Sequence, residues 1–161
     1  MKAKIFLSSR LQRLLADTIR ELAMQGRFYE EKEAMQHGST TIYRHSVHVA
    51  YVSLFLMEKW QFPMDDASLV KGALLHDYFL YDWHEKDGGH RLHGFRHPAF
   101  ALYNASKDFS LNRKEKNIIA RHMFPLTVLP PRCLEAWIVC FVDKYCAFSE
   151  TMGDGRIQWE R

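Results

Sequence analysis

Apolar residues recur at the spacing of a helix through most of this chain, and long alternations of apolar and polar residues are absent. In the first such run the apolar residues share one side of a helix: Leu11, Leu14, Leu15, Ile19 and Leu22. A period between three and four residues is typical of an amphipathic helix, whereas a half-buried strand has a period of two. The pattern predicts a nearly all-α fold in which no strand is required.

Capping residues and helix breakers divide the chain into about six predicted helices. Their expected limits are Ser9 to about residue 25, Ser39 or Thr40 to about Trp60, Asp65 or Asp66 to His76, Pro98 to about Lys107, Ser110 to about His122, and about Arg132 to Glu150. Ser, Thr and Asp are favoured at N-caps, and proline is tolerated in a first helical turn. Residues 79–95 are the one long predicted loop, and loops of that length often act as lids or binding loops.

Length and composition fit a single folded domain. The chain has 161 residues, of which 47% are hydrophobic and 25% charged, as is usual for globular proteins. We expect one domain over residues 1–161, with its core in about residues 40–150 and the N-terminal helix, about residues 9–25, packed on it. A net charge of +3 gives no indication of a nucleic acid or a membrane as the partner.

Cysteine usage and the apolar runs predict a soluble protein of the cytoplasm. Three cysteines cannot build a disulfide framework, and none of them lies in a C-x-x-C motif. The first apolar run, residues 5–7, is much shorter than the apolar core of a signal peptide. The most apolar segment, residues 49–57, is about half as long as a membrane span.

Histidine is abundant and unevenly placed. The chain contains nine histidines, one more than its glycines, and eight of them lie between His45 and His122. An imidazole on or beside the apolar face of a helix must have its nitrogens satisfied by hydrogen bonds or by a metal ion. Metal binding would account for several of these histidines at once.

Three predicted helices carry His or Asp inside an apolar run. His45 and His48 share one face of the second helix, His76 and Asp77 end the third, and Asp143 interrupts the last. A buried carboxylate needs a cation, and the end of a helix also favours one. Taken alone, the second helix is better explained by a hydrogen-bonded core histidine together with an exposed one. An Asp143 paired with a neighbouring Lys or Arg explains the last helix as well as a metal does, and a single His-Asp pair is a weak motif.

The combined pattern resembles the HD-domain phosphohydrolase superfamily, all-α metalloenzymes named for their paired His and Asp. The resemblance covers about residues 40–150, and it implies these metal ligands: His45, His76, Asp77 and Asp143. His45 matches better than His48 because the first histidine of the family is followed by a small residue and a Val-Ala pair, as it is here. The resemblance therefore assigns His48 to structure or to the surroundings of the site.

Some branches of the superfamily hold a second metal with two further histidines. His97 and His122 occupy positions that resemble those of the bacterial symmetrical diadenosine tetraphosphate hydrolases, and His93 competes with His97 for its place. The Gly-Tyr-Pro signature of the dinuclear cyclic-dinucleotide phosphodiesterases is missing. We expect the remaining histidines at the surface: His37, His84 and His90.

The resemblance implies hydrolysis of a phosphoester or phosphoanhydride by a metal-activated hydroxide. In this scheme Asp77 bridges the metals. Arg121 and Lys144 are the catalytic candidates for stabilising charge on the phosphoryl group, with Arg44 and Arg96 as further possibilities.

The expected cofactor is one or two divalent transition metal ions, Fe, Mn or Zn. The expected partner is a small phosphorylated substrate, with a nucleotide or dinucleotide as first candidate, and neither a nucleic acid polymer nor a membrane. The alternative functions are an HD-domain ligand-binding or regulatory module with little or no catalysis, and an all-α protein with incidental histidines.

Overall fold

Six α-helices make up most of the described chain, which in this computed structural model comprises residues 6–32, 35–37, 40–79 and 93–152. The helices are α1 (Ser9–Gln25), α2 (Ile42–Trp60), α3 (Asp66–Leu75), α4 (His93–Asp108), α5 (Arg113–Arg121) and α6 (Leu134–Thr151). The predicted all-α class is confirmed. A 3-10 turn at Phe28–Lys32 and a small antiparallel ribbon, β1 (Met35–His37) with β2 (Thr40–Thr41), lie between α1 and α2. The ribbon is an exception to the expectation that no strand is required.

Four helices surround the core. Helix α2 packs on α3 and α6, and α5 packs on the same two helices. Leu54, Leu74, Ile118 and Val139 contribute one fully buried side chain from each. Helix α1 packs mainly across α3, and α4 packs on α5. This arrangement brings the C-terminal ends of α3 and α5 together beside α2 and α6.

Helices α3 and α5 approach closely because residue 72 is glycine. A Cβ atom at Gly72 would lie only 2.5 Å from Cδ1 and 3.0 Å from Cβ of Ile118. Real Cβ atoms do not come so near to other heavy atoms, so a side chain here would push the two helices apart. The contact lies one helical turn before the end of each helix.

Side-chain caps fix where three helices begin. Thr41, Asp65 and Asn112 accept hydrogen bonds from backbone N–H groups in the first turns of α2, α3 and α5. The prediction of Ser110 as the cap of α5 is wrong, because Asn112 and Glu115 form a reciprocal capping box two residues later.

The predicted start of the fourth helix is also wrong. Helix α4 begins at His93, so Pro98 lies inside it and not in its first turn. Proline is most favoured in the first turn of a helix, and Pro98 departs from that preference. A proline one turn further on removes a single main-chain hydrogen bond, and the helix continues through it.

Among the described residues, no helix combines the length with the low charge that crossing a lipid bilayer requires.

Candidate metal centre

Six buried side chains meet where the ends of the core helices converge. His45 comes from α2, His76 and Asp77 follow α3, His97 lies in α4, His122 follows α5, and Asp143 lies in α6. Each of the six has at most 6% of its surface exposed. Two groups of potential ligand atoms can be distinguished among them, with Asp77 common to both.

The first group combines His45, His76, Asp77 and Asp143. Nε2 of His45 lies 3.0 Å from Oδ1 of Asp143 and 3.8 Å from Oδ2 of Asp77. Nε2 of His76 lies 3.3 Å from that same Asp77 oxygen and 3.5 Å from the Asp143 oxygen. Atoms that bind one tetrahedral ion at about 2.1 Å lie roughly 3.4 Å from one another, so the four residues fit a transition metal.

The second group combines Asp77 with His97 and His122. Oδ1 of Asp77 lies 3.1 Å from Nε2 of His97 and 3.4 Å from Nε2 of His122. The two imidazole nitrogens are themselves 2.8 Å apart. These separations are again those of atoms that can share one small cation.

Asp77 divides its two carboxylate oxygens between the groups. Oδ2 faces His45 and His76, while Oδ1 faces His97 and His122. One carboxylate placed in this way can touch two cations at once. The geometry therefore fits a site for two ions that share a ligand.

Two of the histidines end their helices in the same way. His76 is the C-cap of α3, and its Nδ1 donates to the carbonyl of Ala73 at 2.7 Å. His122 is the C-cap of α5, and its Nδ1 donates to the carbonyl of Ile119 at 2.8 Å. A carbonyl only accepts, so Nδ1 must carry the proton. These carbonyls belong to the last helical turn, where main-chain partners run out. Each helix end thus directs an Nε2 atom toward Asp77.

Glu150 is a residue of the site that the sequence analysis does not include. Its two oxygens accept hydrogen bonds from Nδ1 of His45 and Nδ1 of His48, both at 2.9 Å. The side chain is only 4% exposed. The one signal in the sequence for Glu150 is its spacing from Asp143. Seven residues are two helical turns, so the two side chains share a face of α6.

His48 contacts Glu150 and lies outside both groups of potential ligands, and its assignment to structure or to the surroundings of the site stays a prediction.

The charges of the cluster support one another. Burial raises the pKa of Asp77, but His76 and His97 hold it well below its usual range. Burial also raises the pKa of Asp143, yet His45 and His76 hold it far below the ordinary value. Two carboxylates that stay ionised in a buried site favour positive charge beside them, either protons on the histidines or metal ions.

The pKa values of the histidines differ with their neighbours. Burial lowers the pKa of His45, but hydrogen bonds to Asp143 and Glu150 raise it to about 9. Burial lowers the pKa of His122, and Asp77 offsets this only in part. A cation that binds at His45 must therefore replace a proton that is present at neutral pH.

The predicted catalytic cations contact main-chain carbonyls. Arg121 Nη1 donates to the carbonyl of Pro130 at 2.8 Å, and Lys144 Nζ donates to the carbonyl of His122 at 2.7 Å. Within the described residues neither forms an ion pair with the two aspartates of the site. Lys144 thus links α6 to the end of α5.

The other cationic candidates lie at the surface. Arg44 and Arg96 are exposed, and the guanidinium of Arg96 lies over the ring of Phe100.

Several predicted features fall outside the described residues. These are the side chains of His37 and His93, together with His84, His90 and nearly all of the long loop predicted at 79–95.

A family model described as HD domain matches residues 42–147 of the chain. The matched region is more than half of the sequence and contains all six residues of the two groups, whereas Glu150 lies beyond it. No curated protein and no solved structure matches the chain.

Proposed function

The chain belongs to the HD-domain family, and on this basis we propose that it is a phosphohydrolase that cleaves a phosphoester or phosphoanhydride in a small substrate. The observation that carries the proposal is the position of Asp77, with one oxygen facing each of two groups of imidazole nitrogens. Such a centre suits a reaction in which negative charge develops on a phosphoryl group.

Two divalent cations are the proposed cofactors. His45, His76, Asp77 and Asp143 would hold one, and Asp77, His97 and His122 would hold the other. Imidazole together with carboxylate is a donor set that suits Fe, Mn or Zn. When bound, such ions supply Lewis-acid stabilisation of phosphoryl oxygens and an acidified water at neutral pH.

The protein's own contribution is to fix the ligand atoms before any cation or substrate arrives. The carbonyls of Ala73 and Ile119 keep the proton of two imidazoles at Nδ1. Glu150 does the same for His45 and joins it to His48. Burial keeps bulk water away from the carboxylates, so their charge acts at full strength on whatever binds there.

Lys144 is proposed as a positioning residue and not as a direct contact to substrate. Its ammonium group bonds to the carbonyls of His122 and Cys140, so it holds the end of α5 against α6. Arg121 keeps its predicted place as a candidate for contact with substrate. Its bond to the carbonyl of Pro130 is exposed and would cost little to exchange for a phosphate oxygen.

A nucleotide or dinucleotide is the first candidate substrate, because the positions of His97 and His122 resemble those of the diadenosine tetraphosphate hydrolases. We propose that the chain forms one domain and that it acts in the cytoplasm.

One observation favours the alternative function. The described cations Arg121 and Lys144 bond to main-chain carbonyls and not to the centre. A metal-containing module that binds a phosphorylated ligand with little or no catalysis would need no cation beyond its metals.

A metal-replete preparation tests the proposal against a panel of phosphomonoesters, nucleotides, cyclic nucleotides and dinucleoside polyphosphates. Asp77→Asn should abolish turnover and metal binding. Asp17→Asn, a change in an exposed ion pair on α1, should affect neither. Bound metal without turnover on any substrate would favour the module, and failure to retain any of Fe, Mn or Zn would overturn both functions.

A further inference from the structure

Helix α6 is apolar on two opposite faces. Its inner face is buried in the core through Ala136, Val139, Val142 and Cys146. Its outer face carries six large apolar side chains, which we call the aromatic stripe: Leu134, Trp137, Phe141, Tyr145, Phe148 and Met152. At 3.6 residues per turn these six positions fall within about 80° of the helix circumference.

The aromatic stripe is exposed to solvent in the single chain. Phe141, Tyr145, Phe148 and Met152 each have at least 60% of their surface exposed. Trp137 is half-buried, and its ring stacks on that of Phe141 with centroids 5.6 Å apart. A pair of rings that already stack on each other loses little conformational freedom when a partner covers it.

Helix α1 shows what a solvent-facing surface looks like in the same chain. Its exposed positions include both signs of charge: Arg10, Arg13, Asp17, Arg20 and Glu21. The aromatic stripe contains no charged residue. Lys144, the nearest cation on α6, turns inward to the carbonyls of His122 and Cys140. A helix that is apolar all round is normally covered on all sides.

We propose that the aromatic stripe is the interface of a homodimer in which two α6 helices pack antiparallel. The spacing of the stripe is nearly the same when read from either end. A two-fold axis near residue 143 would set Leu134 against Met152, Trp137 against Phe148, and Phe141 against Tyr145. Two-fold interfaces require this property, since each residue must meet its counterpart in both directions.

The area of the stripe agrees with a dimer. Aromatic side chains offer roughly 150–250 Å² each for burial, so the exposed parts of the stripe amount to about 600 Å² per copy. Two copies would bury about 1,200 Å², above the roughly 1,000 Å² expected of a specific interface. Uncharged and aromatic composition is typical of the centre of homodimer interfaces.

The proposal is independent of the metal centre, because Asp143 and Glu150 lie on the opposite face of α6 from the aromatic stripe. A variant that separates the copies should therefore still bind metal. This consequence distinguishes loss of the interface from loss of the fold.

Sedimentation velocity across a hundredfold range of protein concentration tests the interface. The unmodified chain should sediment as a dimer, and Phe141→Glu and Phe148→Glu should sediment as monomers with unchanged helical circular dichroism. The matched control is Tyr103→Glu on α4, where the side chain is 68% exposed, and it should remain dimeric. A monomeric unmodified chain, or a dimer that survives Phe141→Glu, would overturn the proposal.

Engineered disulfides test the antiparallel pairing without charged substitutions. Phe141→Cys mixed with Tyr145→Cys should cross-link faster than either variant alone, because these two positions face each other across the axis. The native cysteines Cys140 and Cys146 are buried, whereas Cys133 at the start of α6 is partly exposed, so all variants carry Cys133→Ser to keep the background low. Equal rates in the mixture and in the separate variants would contradict the pairing.

Discussion

Glu150 accepts a 2.9 Å hydrogen bond from Nδ1 of His45, which leaves Nε2 of that histidine directed at Asp143. A carboxylate that fixes the tautomer and the ring orientation of a ligating histidine typically changes metal affinity by 10–100-fold when removed. Glu150→Ala should therefore weaken binding of the first metal by roughly that factor, and Glu150→Gln by less, since an amide oxygen still accepts one hydrogen bond. Competition with a chromophoric chelator measures the affinity.

The matched control for this change is Glu21→Ala on the exposed face of α1. It should leave the affinity unchanged. Equal affinities for Glu150→Ala and the unmodified chain would show that Glu150 does not position His45.

Metal stoichiometry should separate the two groups of ligands. Asp143→Asn removes an oxygen that belongs to the first group alone, and His122→Ala removes a nitrogen of the second. Each variant should retain about one ion per chain when the unmodified protein holds about two. Asp77→Asn should lose both, because its oxygens serve both groups. Elemental analysis after gel filtration measures the number of metal ions per chain. An Asp77→Asn variant that holds two ions tightly would exclude the shared-ligand arrangement.

The stability of the metal-free protein should be greatest near pH 6.5. The folded pKa of His45 is about 9, above its ordinary 6.5, so its contribution is complete below 6.5 and disappears as the pH rises through 9. The pKa of His122 is lowered by burial, so the free energy of unfolding falls as the pH drops below 6.5 and this buried ring resists protonation. Glu150, with a pKa of about 2 in place of 4.5, loses its contribution as the pH falls from 4.5 to 2.

Thermal unfolding in the presence of a chelator measures this dependence. Glu150→Gln should flatten the decline above pH 6.5, because one of the two groups that raise the pKa of His45 is then uncharged. If the stability of Glu150→Gln falls above pH 6.5 as steeply as that of the unmodified chain, Glu150 does not control the pKa of His45.

Gly72→Ala should destabilise the fold even though alanine favours helix. The gain in helix propensity is about 1 kcal/mol, but the new Cβ would lie 2.5 Å from Cδ1 of Ile118. Overpacking of this kind costs typically 1–3 kcal/mol, so we expect the free energy of unfolding to fall by about 1 kcal/mol. Urea denaturation measures it. The double variant Gly72→Ala, Ile118→Val removes the clashing methyl group and should recover part of the lost stability. A Gly72→Ala variant that is more stable than the unmodified chain would contradict the close contact.

The apolar periodicity predicts six helices, and it marks His45, His76, Asp77 and Asp143 as costly to bury unless they meet partners. His97 and His122 are added only by the resemblance to the HD-domain superfamily, which leaves His93 as an alternative to His97. Neither predicts Glu150. That residue lies near the end of α6 among polar neighbours, where a glutamate is normally solvated, and only the packing of α2 against α6 buries it. The preference of proline for helix starts does not locate the start of α4, because Pro98 is accommodated one turn inside the helix.

The contact between Gly72 and Ile118 has a consequence for the spacing of the two groups of ligands. His76 follows Gly72 by four residues, and His122 follows Ile118 by four, so each imidazole lies one turn beyond the contact, and their ring centroids are 4.9 Å apart. The distance between the two backbones thus sets the separation of the two rings. His76 belongs to the first group of ligands and His122 to the second, so a larger residue at position 72 would move the two groups apart. The spacing between two bound ions would then depend on interhelical packing as much as on ligand chemistry.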